Sequence, residues 1–295
     1  MANVTVYIPA CNAAAFLPRA LDGLLAQTHP PDEILVIDDG SRDATCEIAS
    51  RYPAITLIRH GCNRGLGATR NTAFQSARND LVASLDADCV PDPSWLANLL
   101  PPLSDPQVAG VGGFLVEGVQ RTVADRWRRA HMPQEWGEAP LRNPRFLFGC
   151  NNVFRKSAVL EAGGYDERMR TNGEDADLSL RLRARGWLLA YEPSARATHL
   201  REDTIRSILD TYWRWWRFGV RAYASGVRLR SVLGHAVFVH FRYTFLDLVR
   251  RDLHARRFSL LGLDLLALAY LPYRDFRLWL EAQFGAPPQR ASSEV

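Results

Sequence analysis

Four short runs of β-branched, aromatic and aliphatic residues recur early in this chain: Val4–Ile8, Ile34–Ile37, Ile55–Ile58 and Leu81–Leu85. Between them lie helix-length stretches, Ala14–Gln27, Asp43–Ser50 and Gly67–Ala77, with Pro18 tolerable only because it falls near a first turn. A β-α-β-α-β-α-β rhythm argues for an α/β fold, a doubly wound and mostly parallel sheet with helices on both faces. The unbroken apolar run ILVI is what a strand covered on both faces requires. Ligands of such sheets gather beyond the carboxyl ends of the strands.

The rhythm continues less regularly to about residue 200. A proline-rich patch (Pro91, Pro93, Pro101, Pro102, Pro106) reads as a linker, and Val108–Val116 as a strand. Thr122–Pro144, rich in Arg, Trp and Pro without a period, reads as a long irregular loop or broken helix covering a site. Phe146–Phe154 reads as a strand, Lys156–Ala162 as a short helix closed by Gly163 and Gly164, Asp175–Arg185 as a helix and Trp187–Tyr191 as a strand. Residues 201–295 lose the strand rhythm and become helix-length apolar stretches broken by arginines. The expected division is therefore a body over 1–200 and a basic, aromatic-rich helical region over 201–295.

Charge supports that division. Residues 1–200 hold 21 basic and 23 acidic side chains, whereas residues 201–295 hold 15 and 9. An acidic-to-neutral body with a basic tail argues against nucleic acid as a partner. With 47% apolar and 23% charged residues the chain can bury a core, which excludes disordered and collagen-like classes. Cysteines at 11, 46, 62, 89 and 150 are odd in number and lack C-x-x-C spacing, so reduced, packed thiols are expected rather than disulfides or a zinc ribbon. The opening MANVTVYIPA has no basic n-region or cleavage site, and a cytoplasmic location is expected.

Three acidic clusters carry the chemistry. ILVI runs into Asp38-Asp39-Gly40-Ser41 and LVASL into Asp86-Ala87-Asp88, so a parallel sheet puts both on one edge. Asp86-x-Asp88 at a strand end suits a hard divalent cation, and a carboxylate at Asp38 or Asp39 can accept from a base or ribose. Glu174-Asp175-Ala176-Asp177 opens a helix, where carboxylates either cap the dipole or serve as a general base. Each motif alone has an ordinary reading as a turn or cap. Gly65-x-Gly67 lacks the third glycine of a dinucleotide fingerprint.

In order and spacing, VTVYIPACNAAAFLPRALDGLLAQTHPPDEILVIDDGSRDAT, NRGLGATRNTAF, LVASLDADCVPDPSWL, GCNNVFRKSAVLEAGGYDE and GEDADLSLRLRARGW resemble the family-2 inverting glycosyltransferases with the GT-A fold. The resemblance spans roughly residues 3 to 200. It implies that Pro9, Ala10 and Cys11 line the nucleobase site, that Asp39 bonds the base, and that Asp38 supports the turn and reaches the ribose. It implies Asp86 and Asp88 for the metal and diphosphate, with Asp88 the direct ligand and Mn2+ or Mg2+ the ion. Arg70 would lie near the donor, Asp175 would be the catalytic base with Glu174 beside it, and His199 would sit near the metal. Cys11 departs from the family, which commonly has an aromatic ring there to stack on uracil, so a uridine donor is less secure and guanosine, thymidine or another base stays open.

The implied activity is metal-dependent, inverting transfer of a sugar from a nucleoside-diphosphate sugar to a hydroxyl of a glycan or glycolipid acceptor. Rival readings are an inactive scaffold of the same fold and a nucleotidyltransferase, with a dehydrogenase third. Trp127, Trp136, Phe146 and Phe148 are candidates for a sugar-stacking wall. In the tail, Arg214, Arg217, Arg221, Arg228, Arg230, Arg250, Arg251, Arg256 and Arg257 interleave with Trp, Phe and Leu, as in helices lying on a membrane. The apolar stretches Val232–Val239 and Phe258–Tyr270 fall short of the ~20 residues a spanning helix needs. The Trp213–Arg217 cluster either meets lipid headgroups or seals the tail. The expectation is peripheral contact with the cytoplasmic face of a membrane, in cell-envelope polysaccharide assembly.

Overall fold

The computed structural model describes residues 2–219 and 234–284. These divide into two compact units, 1–118 with 134–201, and 119–133 with 202–295. Sequence reading gave residues 119–133 to the body; they fall in the second unit instead.

Unit 1 is built on one nine-stranded sheet: β1 (Val4–Ala10), β2 (Glu33–Asp38), β3 (Ile55–Arg59), β4 (Leu81–Leu85), β5 (Cys89–Pro91), β6 (Val108–Glu117), β7 (Leu141–Arg142), β8 (Asn151–Arg155) and β9 (Leu188–His199). Its order is β3-β2-β1-β4-β8-β6-β9-β5, with β7 also on β9. The pairs β1/β2, β1/β4, β2/β3 and β6/β9 are parallel, and β8 runs antiparallel between β4 and β6. Every residue of β1 and β2 is buried, which is why both read as unbroken apolar runs. The strand β1 runs two residues beyond the apolar run Val4–Ile8, through Pro9. Pro9 continues the strand opposite Ile37, next to Ala10 opposite Asp38.

Helices cover both faces of this sheet. In α1 (Leu17–Leu25) Leu17, Ala20, Leu21 and Leu24 form the buried face, and Pro18 sits in the first turn where no donor is lost. Then come α2 (Thr45–Ser50) and α3 (Leu66–Ser76). The proline-rich patch is not a linker: it contains β5, the short helix α4 (Trp95–Leu99) and a 3-10 turn at Pro101–Ser104. Prolines are tolerated there because strand ends and first helical turns need no amide donor. The expected strand Phe146–Phe154 is confined to β8, while Trp187–Tyr191 extends to the full length of β9. Helices α6 (Lys156–Glu161) and α7 (Glu174–Ala184) complete the unit.

Unit 2 is helical. Its first element, α5 (Val123–His131), lies inside the segment expected to be irregular. Thr122 and Asp125 form a reciprocal capping box that starts it, and Ala124, Trp127, Arg128 and His131 recur at helical spacing on its buried face. The others are α8 (Ile205–Gly219), a π-helical stretch His235–Phe245, α9 (Leu246–His254) and α10 (Leu261–Phe284). Trp127, Trp213, Leu248, Leu263 and Leu271 belong to its own core. Arg221, Arg228 and Arg230, the side chains of Trp216 and Arg217, and much of Val232–Val239 lie outside what is described.

Candidate active site

The carboxyl ends of β1, β2, β4, β6 and β9 lie on one edge, and with them Ala10, Asp38, Leu85, Glu117 and His199. Asp39 follows β2, and Asp86 and Asp88 follow β4. The antiparallel β8 starts where β4 ends, Asn151 opposite Leu85, so Gly149 and Cys150 join the same edge.

Asp39 is buried and fully engaged: Oδ1 accepts from Arg64 N at 2.8 Å, Oδ2 from Gly65 N at 2.8 Å, and His60 Nδ1 stands 2.7 Å from Oδ1. It therefore fastens the loop between β3 and α3 to the end of β2. Asp38 Oδ1 takes Ser41 N, whereas its buried Oδ2 has no hydrogen-bond partner among the described residues. Gly40 makes this turn at φ +75°, and a Cβ there would press within 2.7 Å of the Cys62 and Asn63 backbone, so only glycine fits. Asn63 Nδ2 donates to Cys11 Sγ at 3.4 Å. Burial, then the Asp39, Asp38 and Asp43 carboxylates, push the Cys11 thiol up, which speaks against a nucleophilic thiolate.

Arg70 of α3, expected near the donor, is 1% exposed and ties the strand-end residues together. Its Nε meets Glu174 Oε1 at 3.3 Å and its Nη2 meets Asp86 Oδ1 at 3.4 Å. Nη1 donates to Tyr7 Oη, Ser84 Oγ and the Gly149 carbonyl at 3.1, 2.6 and 2.9 Å. On the far side of Gly149, its amide donates to Asp175 Oδ2 at 2.8 Å. One glycine thus connects the guanidinium to the first turn of α7, where Gly173 at φ +88° allows the chain to enter the helix.

Crowding of carboxylates shows in their proton affinities. Burial and then the Asp175 charge push Glu174 up to about 7, with Arg70 pulling back. Asp175 is also raised, by burial, against Arg70 and the Gly149 and Ala176 amides. Asp86 is raised by burial and by Asp88 and Asp175, against Arg70 and His199. Asp88 goes the other way: burial disfavours its charge, but His199 outweighs it and holds the carboxyl at about 2. The His199 ring lies between two carboxylates, Nε2 at 3.2 Å from Asp88 Oδ2 and Nδ1 at 2.9 Å from Glu117 Oε2. Burial lowers its affinity for a proton, yet these partners lift it to about 10.

Glu117 was missed in the sequence. It ends a strand as Asp38 does, but as a lone glutamate it carried no paired motif. Tyr7, Ser84 and Gly149 were missed too; nothing local marks them. Trp136, Phe146 and Phe148 do cluster, with ring centroids 5.0–5.8 Å apart. Trp127 belongs elsewhere, fully buried in unit 2, where it donates to Asp264. Trp213 is likewise core there and donates to Asp275.

An α/β sheet of this order, with carboxylates on three strand ends and a carboxylate-led helix closing the edge, defines a GT-A-type transferase. The profile of glycosyl transferase family 2 matches residues 5–163, and the chain belongs to that family. It is 34% identical over 215 residues to the pre-mycofactocin glycosyltransferase of Mycobacterium tuberculosis, covering 69% of this chain and 44% of that protein. The chain thus spans less than half of that relative. It is 29% identical over 269 residues to the N-acetylglucosaminyl-diphospho-decaprenol L-rhamnosyltransferase of the same organism, covering 74% and 88%. In fold it resembles a mannosyltransferase of Pyrobaculum calidifontis solved with GDP-Man and Mn2+, at TM-score 0.61, 21% identity, and 94% and 83% coverage.

Proposed function

We propose that this glycosyltransferase moves a sugar, with inversion, from a nucleoside-diphosphate sugar to a hydroxyl of a polyprenyl-linked envelope glycan at the cytoplasmic face of a membrane. The observation that carries the chemistry is the placement of Asp175. It is held by the Gly149 amide at the strand-end edge, beside the carboxylates that would meet a diphosphate. A raised proton affinity suits a general base, which must take a proton and then keep it.

In the proposed reaction Asp175 removes the proton of the acceptor hydroxyl. Its oxygen bonds to the anomeric carbon as the bond from that carbon to the diphosphate breaks. The electron pair leaves with the nucleoside diphosphate, and one displacement inverts the configuration. Glu174, sharing the site with Arg70, keeps the base oriented. Asp38 and Asp39 hold the turn under the nucleobase, with Pro9, Ala10 and Cys11 forming its floor.

The strand-end donor set fits a divalent ion. Asp86 and Asp88 keep 30% and 26% of their side-chain surface open, and Glu117 orients the His199 ring as an outer carboxylate does in metal sites. Asp88 as direct ligand, with Asp86 and His199, would hold Mn2+ or Mg2+. Such an ion would neutralise charge developing on the leaving diphosphate.

The acceptor assignment draws on two supports. One is the decaprenol-linked substrate in the name of the second relative. The other is the surface of unit 2, which holds eleven of the fifteen described large apolar residues left exposed. Leu265, Tyr273, Phe276, Leu280 and Phe284 form a stripe at helical spacing along α10, near Arg250, Arg251 and Arg256 in sequence. Among the described residues no helix is long and apolar enough to cross a membrane.

The test is a melting-temperature panel with UDP, GDP, TDP and CDP, each with and without Mn2+, on the wild type, Asp88→Ala and Asp175→Asn. A ligand that binds only the folded state raises the melting temperature. One diphosphate should do so in a Mn2+-dependent way, in the wild type and Asp175→Asn but not in Asp88→Ala. Asp175→Asn should then lose transfer by roughly 100-fold or more. Near-wild-type transfer by that variant would overturn the base assignment, and no shift with any nucleotide would overturn the donor class.

A further inference from the structure

Unit 2 buries a second ionisable cluster that the transfer reaction does not use. His131 ends α5, Asp252 lies in α9 and Asp264 in the first turn of α10, and all three side chains are wholly buried. His131 Nε2 is 3.1 Å from Asp252 Oδ2 and 4.0 Å from Asp264 Oδ1. One donor atom from each residue can be chosen so that all lie within 4.8 Å of one another. Donors placed about 2.0–2.2 Å from a common centre fall within such a spread.

The cluster's own hydrogen bonds leave it unsatisfied. Trp127 Nε1 donates to Asp264 Oδ1 at 2.8 Å, which leaves the buried Oδ2 without a hydrogen-bond partner among the described residues. His131 Nδ1 is buried in the same condition. Arg257 Nε stands 3.0 Å from Asp252 Oδ1 and supplies one positive charge against two carboxylates. Burial raises the proton affinity of both Asp252 and Asp264 and holds His131 at about 4 despite Asp264, with Arg257 and Arg251 opposing protonation and Asp247 favouring it. One imidazole and two carboxyl groups, all wholly buried and with donor atoms within 4.8 Å of one another, form a ligand set in want of a cation. A shared proton engages only the two oxygens it lies between, whereas an ion engages the His131 Nε2 and both carboxyl groups at once.

We infer that His131, Asp252 and Asp264 bind one transition-metal dication, with Zn2+ the best match to one imidazole and two carboxylates, and that the ion clasps α5, α9 and α10. Mixed nitrogen and oxygen donors favour such an ion over Mg2+ or Ca2+. The Trp127 indole then serves as the outer support that orients a ligating carboxylate. The clasp has a structural purpose. His131 and Asp252 are 121 positions apart, and α5 reaches unit 2 as an excursion from the sequence of unit 1. A shared ion fixes that excursion to the C-terminal helices.

The experiment uses the full chain without a histidine tag, in an Asp88→Asn background so that the strand-end site does not compete. Dialysed protein should retain one Zn2+ per chain, and added Zn2+ should raise its melting temperature. Zinc-edge X-ray absorption should show one imidazole with oxygen donors and no sulfur. His131→Gln and Asp264→Asn, each added to that background, should weaken Zn2+ binding by roughly 100-fold, the top of the range for losing outer support alone. Retention of no Zn2+, sulfur in the coordination shell, or equal binding by both variants would each overturn the inference. If the variants fail to fold, the absorption spectrum of the parent decides it.

Discussion

Two carboxylates in the first turn of one helix, both withdrawn from water, cannot both ionise as freely as exposed acids. Asp175 and Glu174 are in that position, faced by Arg70 and Asp86. If the deprotonated Asp175 is the base, kcat/KM must rise with pH through a pKa above the ordinary aspartate value. Burial and the Asp175 charge keep Glu174 protonated up to about 7, so Glu174→Gln replaces one neutral group by another below that pH and the acid limb should stay in place. A profile of kcat/KM at saturating metal checks this, and a limb that moved to lower pH would show that a charged Glu174 raises the base. The aspartates were legible because acidic pairs at the ends of apolar runs are visible in one dimension. Arg70 was legible as a residue of interest but not in its role, since its bonds to Tyr7, Ser84, Gly149 and Glu174 join distant positions.

At the scale of elements, strand direction does the organising. Reading the first four strands as parallel was enough to put Asp38 and Asp86 on one edge, and the sheet has them there. Sequence could not show that β8 runs antiparallel beside β4, because its flanks lack the strand-helix-strand rhythm. That reversal delivers Gly149 to the site. Arg70 then fastens α3 to β1, β4 and α7 through five hydrogen bonds from its three nitrogens. Removing a buried guanidinium leaves Glu174 and Asp86 without their counter-charge, which typically costs ~3–5 kcal/mol. Arg70→Met should therefore lower the unfolding free energy by about that much, and Arg70→Lys should recover little, because an ammonium cannot reproduce the fork. Urea unfolding followed by near-UV circular dichroism measures both. A loss under ~1 kcal/mol, as for an exposed pair, would show that these elements hold together without the tie.

Across the whole molecule, charge and apolar surface are segregated. The basic excess lies in residues 201–295, and most of the described exposed apolar side chains lie in unit 2, whose interior holds Asp252, Asp264, Asp275 and His240 beside its apolar core. Sequence composition showed the basic excess but not which faces of the helices it shares with Leu and Phe. Leu265, Phe258 (63% exposed) and Phe284 (80% exposed) are part of the apolar surface that the proposed membrane contact would bury. In that proposal Arg250, Arg251 and Arg256 would favour an anionic bilayer, since basic residues near such a surface contribute about 1 kcal/mol each and apolar burial adds to that. The full chain should co-sediment with vesicles containing anionic lipid and much less with neutral ones. Raising salt should weaken the attachment without abolishing it, because screening touches the arginines and not the apolar stripe. Tyr273→Ser with Phe276→Ser should reduce binding at every salt concentration, whereas Arg250→Gln with Arg251→Gln should flatten the salt dependence. Transfer to a short water-soluble acceptor should be unchanged in both pairs while transfer to a vesicle-borne acceptor falls. Equal transfer to the vesicle-borne acceptor by all forms would mean that the lipid surface does not bring this enzyme to its substrate.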